Sequence, residues 1–363
     1  MDDQAVQPAP PPPYARPQQS TDSPAGSLPT ETLTHILDLA LQDLVPLERQ
    51  TIRMVFSSVC KHWWSVAPKT DELVVHGSKQ AERLSTALLN EEFAFRQEAI
   101  RALVITVGKE TSPKASTLVG DLLLSCPLLE RLNVTLDQGF SGGYGTLGKG
   151  FRDSLASCDT LTELEMYGKI EMAERRSPSH IFTNLLSLRR IVTPSLRVTS
   201  WVYAFQRNSS PNKLQQLVMP FESSRGAVTE LLTPAAAYLV DVKLLGGADW
   251  TGHSHYLTPF IKSLTSIRRL VIGPFAYDLA TLFNLLADLP TLKSFTLTSE
   301  PATQTQLQSL HGVTSTAAVR YIATAQQLKS LTLTDEIQRW WTELEQVQVK
   351  EAAEKAGVEF TLR

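Results

Sequence analysis

The sequence has 363 residues, 42% hydrophobic and 20% charged, with 34 Lys and Arg against 37 Asp and Glu for a net charge of -3. That composition is expected of a soluble globular protein of two or three domains, with ample length to bury a core. It asks for no nucleic-acid partner and no membrane: the charge is near neutral, no apolar run approaches the ~20 residues that span a bilayer, and the start MDDQAVQPAP lacks the apolar core of a secretory signal.

Seven of the 21 prolines fall in the first 27 residues, among Gln, Ser, Asp and Ala. Such a stretch buries too little apolar surface to offset its ordering entropy, so residues 1–26 are expected to be a disordered Pro-rich tail. Within it Pro11-Pro12-Pro13-Tyr14 fits the PPxY pattern and is a candidate WW-domain ligand, since a preformed polyproline helix docks at low entropic cost.

Residues 27–72 read as a helical module. SLPTETLTHILDLALQDL spaces Leu33, Ile36, Leu37, Ala40, Leu41 and Leu44 at helical steps, with Pro29 where a helix start tolerates it and Glu31 favourably placed against the dipole. LERQTIRMVFSSVCKHWWSVA stripes Ile52, Phe56, Val59 and Trp63, with Pro46 marking the break between the two helices and Pro68 closing the second. Two or three helices of this size are marginal alone, and such a module often leaves an apolar face for a partner.

LPTETLTHIL followed by VCKHWWSVA resembles an F-box, whose pattern runs approximately LPxEILxxIL and then VCxxWxxLA. Thr32 stands where an aliphatic is usual, and the 42–55 linker is long and polar. The resemblance implies docking onto a Skp-type adaptor and, through it, a cullin, with Leu28, Pro29, Ile36, Leu37, Val59 and Trp63 forming the docking face and its support. On residues alone, an ordinary helical hairpin with Val59 and Trp63 in its core gives the same pattern.

From 73 to 363 the triplet LxxLxL, apolar at positions 1, 4 and 6, recurs. The strongest matches begin at Ile100, Leu129, Leu161, Leu188, Leu214, Leu239, Ile267, Leu292 and Leu328, in steps of 29, 32, 27, 26, 25, 28, 25 and 36 residues. Helix-like runs precede many of them: TLVGDLLLSC, IFTNLL, LTPFIKSL, DLATLFNLLADLP and AAVRYIATAQQ. LVVHGSKQAERLSTALLNEEF reads as a lead-in strand and helix. Ile337, Trp341, Leu344 and Val347 stripe a terminal capping helix that runs into VEFTL. A unit of helix, turn and short strand must stack on its neighbours. The expected fold class is therefore α/β: a small all-helical module followed by an irregular leucine-rich-repeat solenoid of parallel strands and outer helices. The Asn or Cys that normally follows the last Leu is missing, and the repeats are similar to the degenerate ones of fungal F-box proteins. A helical repeat array is the alternative, against which the β-rich LVI, LTL and FTL cores argue.

No catalytic constellation is expected. Gly143-x-Gly145-x-x-Gly148-Lys149 nearly fits a phosphate-binding loop, but Gly150 takes the place of the hydroxyl that would reach magnesium, so a flexible loop is the better reading. His253 and His255 lack a third ligand at suitable spacing and read as an exposed loop. No metal or cofactor is expected. Cys60, Cys126 and Cys158 are odd in number and lack a CxxC pair; they read as buried structural thiols in a reducing cytoplasmic or nuclear setting.

In a solenoid of this kind the residues between the apolar strand positions face the concave surface. Arg131, Glu163, Glu165, Tyr167, Arg190, Val192, Gln216, Val218, Lys243, Arg269 and Val271 are the candidate target-binding residues. Their mix of Arg, Tyr and exposed Val suits protein recognition. The resulting expectation is a non-catalytic substrate receptor of an SCF-type cullin-RING ubiquitin ligase, holding an unknown target protein. The alternative is a non-ligase interaction scaffold.

Overall fold

The computed structural model describes residues 28–42, 44, 46–59, 63, 71–88, 97–107, 112–136, 145–146, 149–168, 170–172, 185–194, 197–198, 213–221, 235–246, 254–273, 279–299 and 313–363. The Pro-rich tail with Pro11–Tyr14, Cys60, Pro68, Gly143, Gly148 and His253 lie outside them. The chain divides into two compact units, Met1–Val74 and Val75–Arg363.

In the first unit, helix α1 (Thr30–Leu41) follows Pro29, whose carbonyl accepts the first helical bond from the Leu33 N–H at 2.9 Å. Leu33, Leu37 and Leu41, one every four residues, form its buried line. Ile36 and Ala40, expected on the same stripe, are exposed with Leu39, because the buried line is a single i, i+4, i+8 row. Helix α2 (Pro46–Val59) begins at Pro46, a position where the missing N–H costs nothing. Phe56 meets Trp63 edge to face at 5.8 Å. Strand β1 (Glu72–His76) spans the junction between the units. Its buried Glu72 accepts from Arg49 at 3.1 Å, with Arg53 at 3.9 Å, while Gln50 Oε1 accepts from the Val74 N–H at 3.2 Å.

The remaining main strands are β2 (Ala102–Val107), β3 (Arg131–Leu136), β5 (Glu163–Tyr167), β7 (Arg190–Val192), β9 (Gln216–Phe221), β10 (Asp241–Gly246), β11 (Arg269–Ile272), β12 (Ser294–Leu297), β13 (Ser330–Leu333) and β14 (Glu359–Leu362). With β1 they make one parallel sheet of eleven strands laid down in chain order. Each strand from β2 to β13 in this sheet starts two residues after an LxxLxL match begins. Register follows the repeat: Ala102 pairs with Arg131, then Glu163, Arg190, Gln216, Asp241, Arg269, Ser294 and Ser330 in turn. The eight unequal sequence steps are thus the eight register offsets, and a helical array is ruled out. Positions 1, 4 and 6 supply the core, as in Leu129/Leu132/Val134, Leu161/Leu164/Met166 and Leu292/Phe295/Leu297. Each such side chain contributes about 1.5–3 kcal/mol by leaving water. The second unit is a leucine-rich-repeat-like α/β solenoid.

A backbone device recurs from repeat to repeat. In the main sheet, the carbonyl just before each strand from β2 to β12 accepts two N–H groups from the next repeat. Arg101 O takes Glu130 and Arg131 at 2.8 and 2.9 Å, and Glu130 O takes Thr162 and Glu163 at 2.8 and 3.0 Å. The same pattern runs to Lys293 O, which takes Lys329 and Ser330 at 2.7 and 3.0 Å. The unequal spacing of the repeats leaves this clamp undisturbed. A second parallel sheet, β4 (Gly145–Thr146), β6 (Ile170–Met172) and β8 (Arg197–Val198), accompanies the central repeats.

Helices α3 (Gly77–Leu88), α4 (Ser112–Leu124), α5 (Lys149–Ala156), α6 (Ser254–Ser263), α7 (Leu279–Ala287) and α8 (Ser315–Thr324) precede β2, β3, β5, β11, β12 and β13. α5 was not expected: the end of the Gly142–Gly150 loop reading is its first turn, and Phe151 and Leu155 anchor it in the core. His255 likewise belongs to α6 and not to a loop; Phe260 and Ile261 anchor that helix in the core. Cys126 and Cys158 are buried at the same turn of consecutive repeats, and burial pushes their thiols up to about 12 and about 11.

The terminal helix α9 (Glu343–Ala356) carries a capping box between Thr342 and Glu345 and ends at Gly357, which has φ 69°. Bonds from the Thr342 N–H, the Thr342 hydroxyl and Ser315 hold the Glu345 carboxyl below its usual range. Ile337 and Trp341 are buried as expected, but Leu344 and Val347 are exposed: the buried side of α9 is Val349 and Ala353, and Ile337 and Trp341 precede the helix. VEFTL closes the sheet as β14, in register with β13.

Tyr321 stacks on Phe283 at 5.1 Å and meets Phe295 edge to face at 6.3 Å, fully buried. Its hydroxyl has no hydrogen-bond partner, and burial raises its pKa. Tyr321→Phe removes an unsatisfied buried hydroxyl and keeps the ring contacts. The expected result is a gain of about 1 kcal/mol in urea unfolding. A loss of stability would mean that the hydroxyl is in fact bonded.

Candidate functional site

Each unit presents a surface on which the sequence placed candidate residues. In the first, Pro29, Ile36 and Val59 are exposed, Leu28 and Trp63 are half-buried, and Leu37 is buried. Leu37 therefore supports the surface and does not contribute to it. Sequence reasoning missed three further apolar side chains: Leu39, Met54 and Val55, each more than half exposed at 56, 59 and 52%. Their signal was available, since they are the apolar residues left over once one buried stripe is drawn on each helix.

On the solenoid, the outward side chains at the first and third strand positions form a connected polar ladder. Glu165 accepts from Asn133 Nδ2 at 2.8 Å and from the Tyr167 hydroxyl at 3.1 Å. The Arg190 guanidinium bonds Glu165, lies 3.4 Å from Glu163, and donates through Nε to Gln216 Oε1 at 2.8 Å. Gln216 Nε2 donates to Asp241 at 3.3 Å, and Asp241 receives the Arg269 fork through Nε at 2.9 Å and through Nη2. The chain of bonds runs unbroken from β3 to β11 across six neighbouring strands.

This ladder brings together Glu163, Glu165, Tyr167, Arg190, Gln216 and Arg269 and recruits Asn133 and Asp241. Burial, then the charge and hydrogen bond of Glu165, raise the Tyr167 pKa, while Arg190 opposes them. The hydrogen bond to Asp241 does the same for Arg269. Cross-strand pairs of this kind stabilise a sheet by about 0.2–1 kcal/mol each and fix register. Their charges are also largely spent on one another, leaving a near-neutral strip.

The full row at the third strand position reads Asn133, Glu165, Val192, Val218, Lys243, Val271 and Thr296, from β3 to β12. Val218 and Val271 are half-exposed, and Lys243 lies in register between them. Val192, expected on the surface, is buried at 7%. Its short branched side chain is flanked in register by Glu165 and Val218, beside the Arg190 bridge, and little of it reaches solvent. Arg131 is exposed and joins no ion pair among the described residues. The ladder holds no nucleophile–base pair. Among the described residues no group of three His, Cys, Asp or Glu is placed to hold a metal, and no helix is long and apolar enough to cross a membrane.

No family model matches the sequence, and no curated protein matches it. Solved structures do. LegL7, a leucine-rich repeat-containing protein from Legionella pneumophila, is similar at a TM-score of 0.39 and 13% identity, over 88% of this chain and 87% of that one. A chain of the Rad7 and Elc1 complex in yeast is similar at a TM-score of 0.38 and 10% identity, over 91% of this chain and 92% of that one. Strand order and register in the chain itself are what define the solenoid.

Proposed function

We propose that the chain is a non-catalytic substrate receptor of an SCF-type ubiquitin ligase. In this reading the first unit is an F-box that binds a Skp-type adaptor and through it a cullin. The outward sheet face of the solenoid holds a target protein. The chain breaks no bond; it raises the target's effective concentration beside the charged conjugating enzyme. The setting would be the cytoplasm or nucleus. The carrying observation is the pair of exposed apolar side chains, Ile36 and Val59, at positions that match the two halves of the F-box pattern. A small helical module that served only its own core would have little reason to expose them with Leu39, Met54 and Val55.

Co-expression of the full chain with a Skp-type adaptor tests this reading. The intact chain is expected to co-purify with the adaptor. Ile36→Asp with Val59→Asp places two charges in the contact without touching the Leu33/Leu37/Leu41 core, and is expected to weaken binding by roughly thirty-fold or more per side chain. Adaptor binding that ignores the double substitution would overturn the reading and favour a non-ligase scaffold.

A further inference from the structure

The polar ladder uses the outward strand positions but not the residue just before each strand. At that position three consecutive repeats carry a cation: Arg268, Lys293 and Lys329, ahead of β11, β12 and β13. We infer that these three side chains form a docking row for an acidic segment of the target protein, an extended run of Asp and Glu. The inference rests on the receptor reading of the solenoid and names the chemistry of what it would hold.

Alignment is the first support. The Lys293 N–H donates to Arg268 O at 2.9 Å and the Lys329 N–H to Lys293 O at 2.7 Å, so the three backbones are direct neighbours. At about 4.8 Å between strands, the row spans about 10 Å, the reach of three or four residues of extended chain. All three are exposed and join no ion pair among the described residues. Arg190 and Arg269, one position further along their strands, have built-in carboxylates. Evolution of a ladder that neutralises one row while the next stacks three like charges is not what register alone requires, since like charges placed side by side repel.

The neighbouring surface points the same way. The outward positions of β12 and β13 carry only hydroxyls: Ser294, Thr296, Ser330 and Thr332, with Ser330 Oγ donating to Ser294 Oγ at 2.8 Å. No carboxylate on these two strands competes for the cations, and Glu359 on β14 forms no ion pair with Lys329. A nucleic acid fits less well, because the row is short, the chain carries a net charge of -3, and no aromatic side chain on the outward face of these strands offers a base a stacking surface.

The test uses the purified full chain and a fluorescein-labelled ten-residue peptide with a central Glu-Asp-Glu-Asp run, read by fluorescence anisotropy. The peptide is expected to bind and to weaken as salt is raised. Arg268→Glu, Lys293→Glu and Lys329→Glu together are expected to lower its affinity at least tenfold, and the matching triple substitution to Gln several-fold. Both variants should keep the parent's urea unfolding midpoint, which separates loss of the row from loss of the solenoid fold. Failure of adaptor binding by the intact chain, with peptide binding preserved, would sink the ligase reading and leave the row standing. Equal binding by the intact chain and the Glu variant, or by a peptide with Asn and Gln in place of the acids, would overturn the inference. So would tighter binding of a doubly phosphorylated peptide or of single-stranded DNA of equal charge.

Discussion

Gly168→Ala is expected to destabilise the solenoid by about 2–4 kcal/mol. Gly168 links β5 to β6 with φ 92°, and a Cβ there would lie 2.3 Å from the carbonyl oxygen of Leu136, the last residue of β3. Two costs coincide. A side chain strains this backbone conformation, and the clash is with main chain that is held by the strand register and cannot swing aside. Gly150→Ala is the matched control: it lies in α5, and an added Cβ meets nothing within 4 Å. It should be neutral or slightly stabilising, because Ala forms helix better than Gly. Urea midpoints of the two variants, compared with the parent, check the pair. Equal midpoints would show that β3 and β5 do not approach as closely as described.

Glu72→Ala is the second large effect, expected at about 3 kcal/mol and confined to the first unit. The carboxylate is buried between Arg49 and Arg53, whose side chains are 26 and 13% exposed. Removing it takes from the partly desolvated Arg49 guanidinium its hydrogen-bonded counter-charge, the situation in which a buried pair is most costly to break. Arg49 would keep its bond to Leu44 O at 3.0 Å but already has an unpartnered Nε. Hydrogen exchange should accelerate through α2 in this variant while α4 and α7 keep their protection. Unchanged exchange in α2 would show that the arginines do not depend on Glu72.

Much of the solenoid was legible because its signal is short-range. Positions 1, 4 and 6 of each match are apolar for the same reason that Leu161, Leu164 and Met166 are buried: a strand alternates its side chains between two faces. A nine-member spacing series then turned one weak pattern into register. The helices were less legible where the repeat is long. α5 hides behind glycines that also suit a loop, and only Phe151 and Leu155 betray it.

The candidate surface was read only in part, for a physical reason. A residue type shows what a side chain can do but not whether a neighbour has already engaged it. Arg190 and Arg269 look available in sequence and are tied to Glu163, Glu165 and Asp241 in the fold. Arg268, Lys293 and Lys329 look like ordinary surface cations until the register stacks them. Val192 belongs to the same class of error, because its exposure is decided by partners 27 residues before and 26 after in the lattice of strands. At the chain end, Leu344 and Val347 shared a helical spacing with Trp341, but α9 turned Val349 and Ala353 inward instead.

The receptor reading is tested most directly by gel filtration of the intact chain mixed with a purified Skp-type adaptor and the amino-terminal half of a cullin. The account expects all three in one peak at equal stoichiometry, with the Ile36→Asp, Val59→Asp chain excluded from it. Elution of the intact chain by itself, beside an adaptor–cullin peak that forms normally, would contradict it.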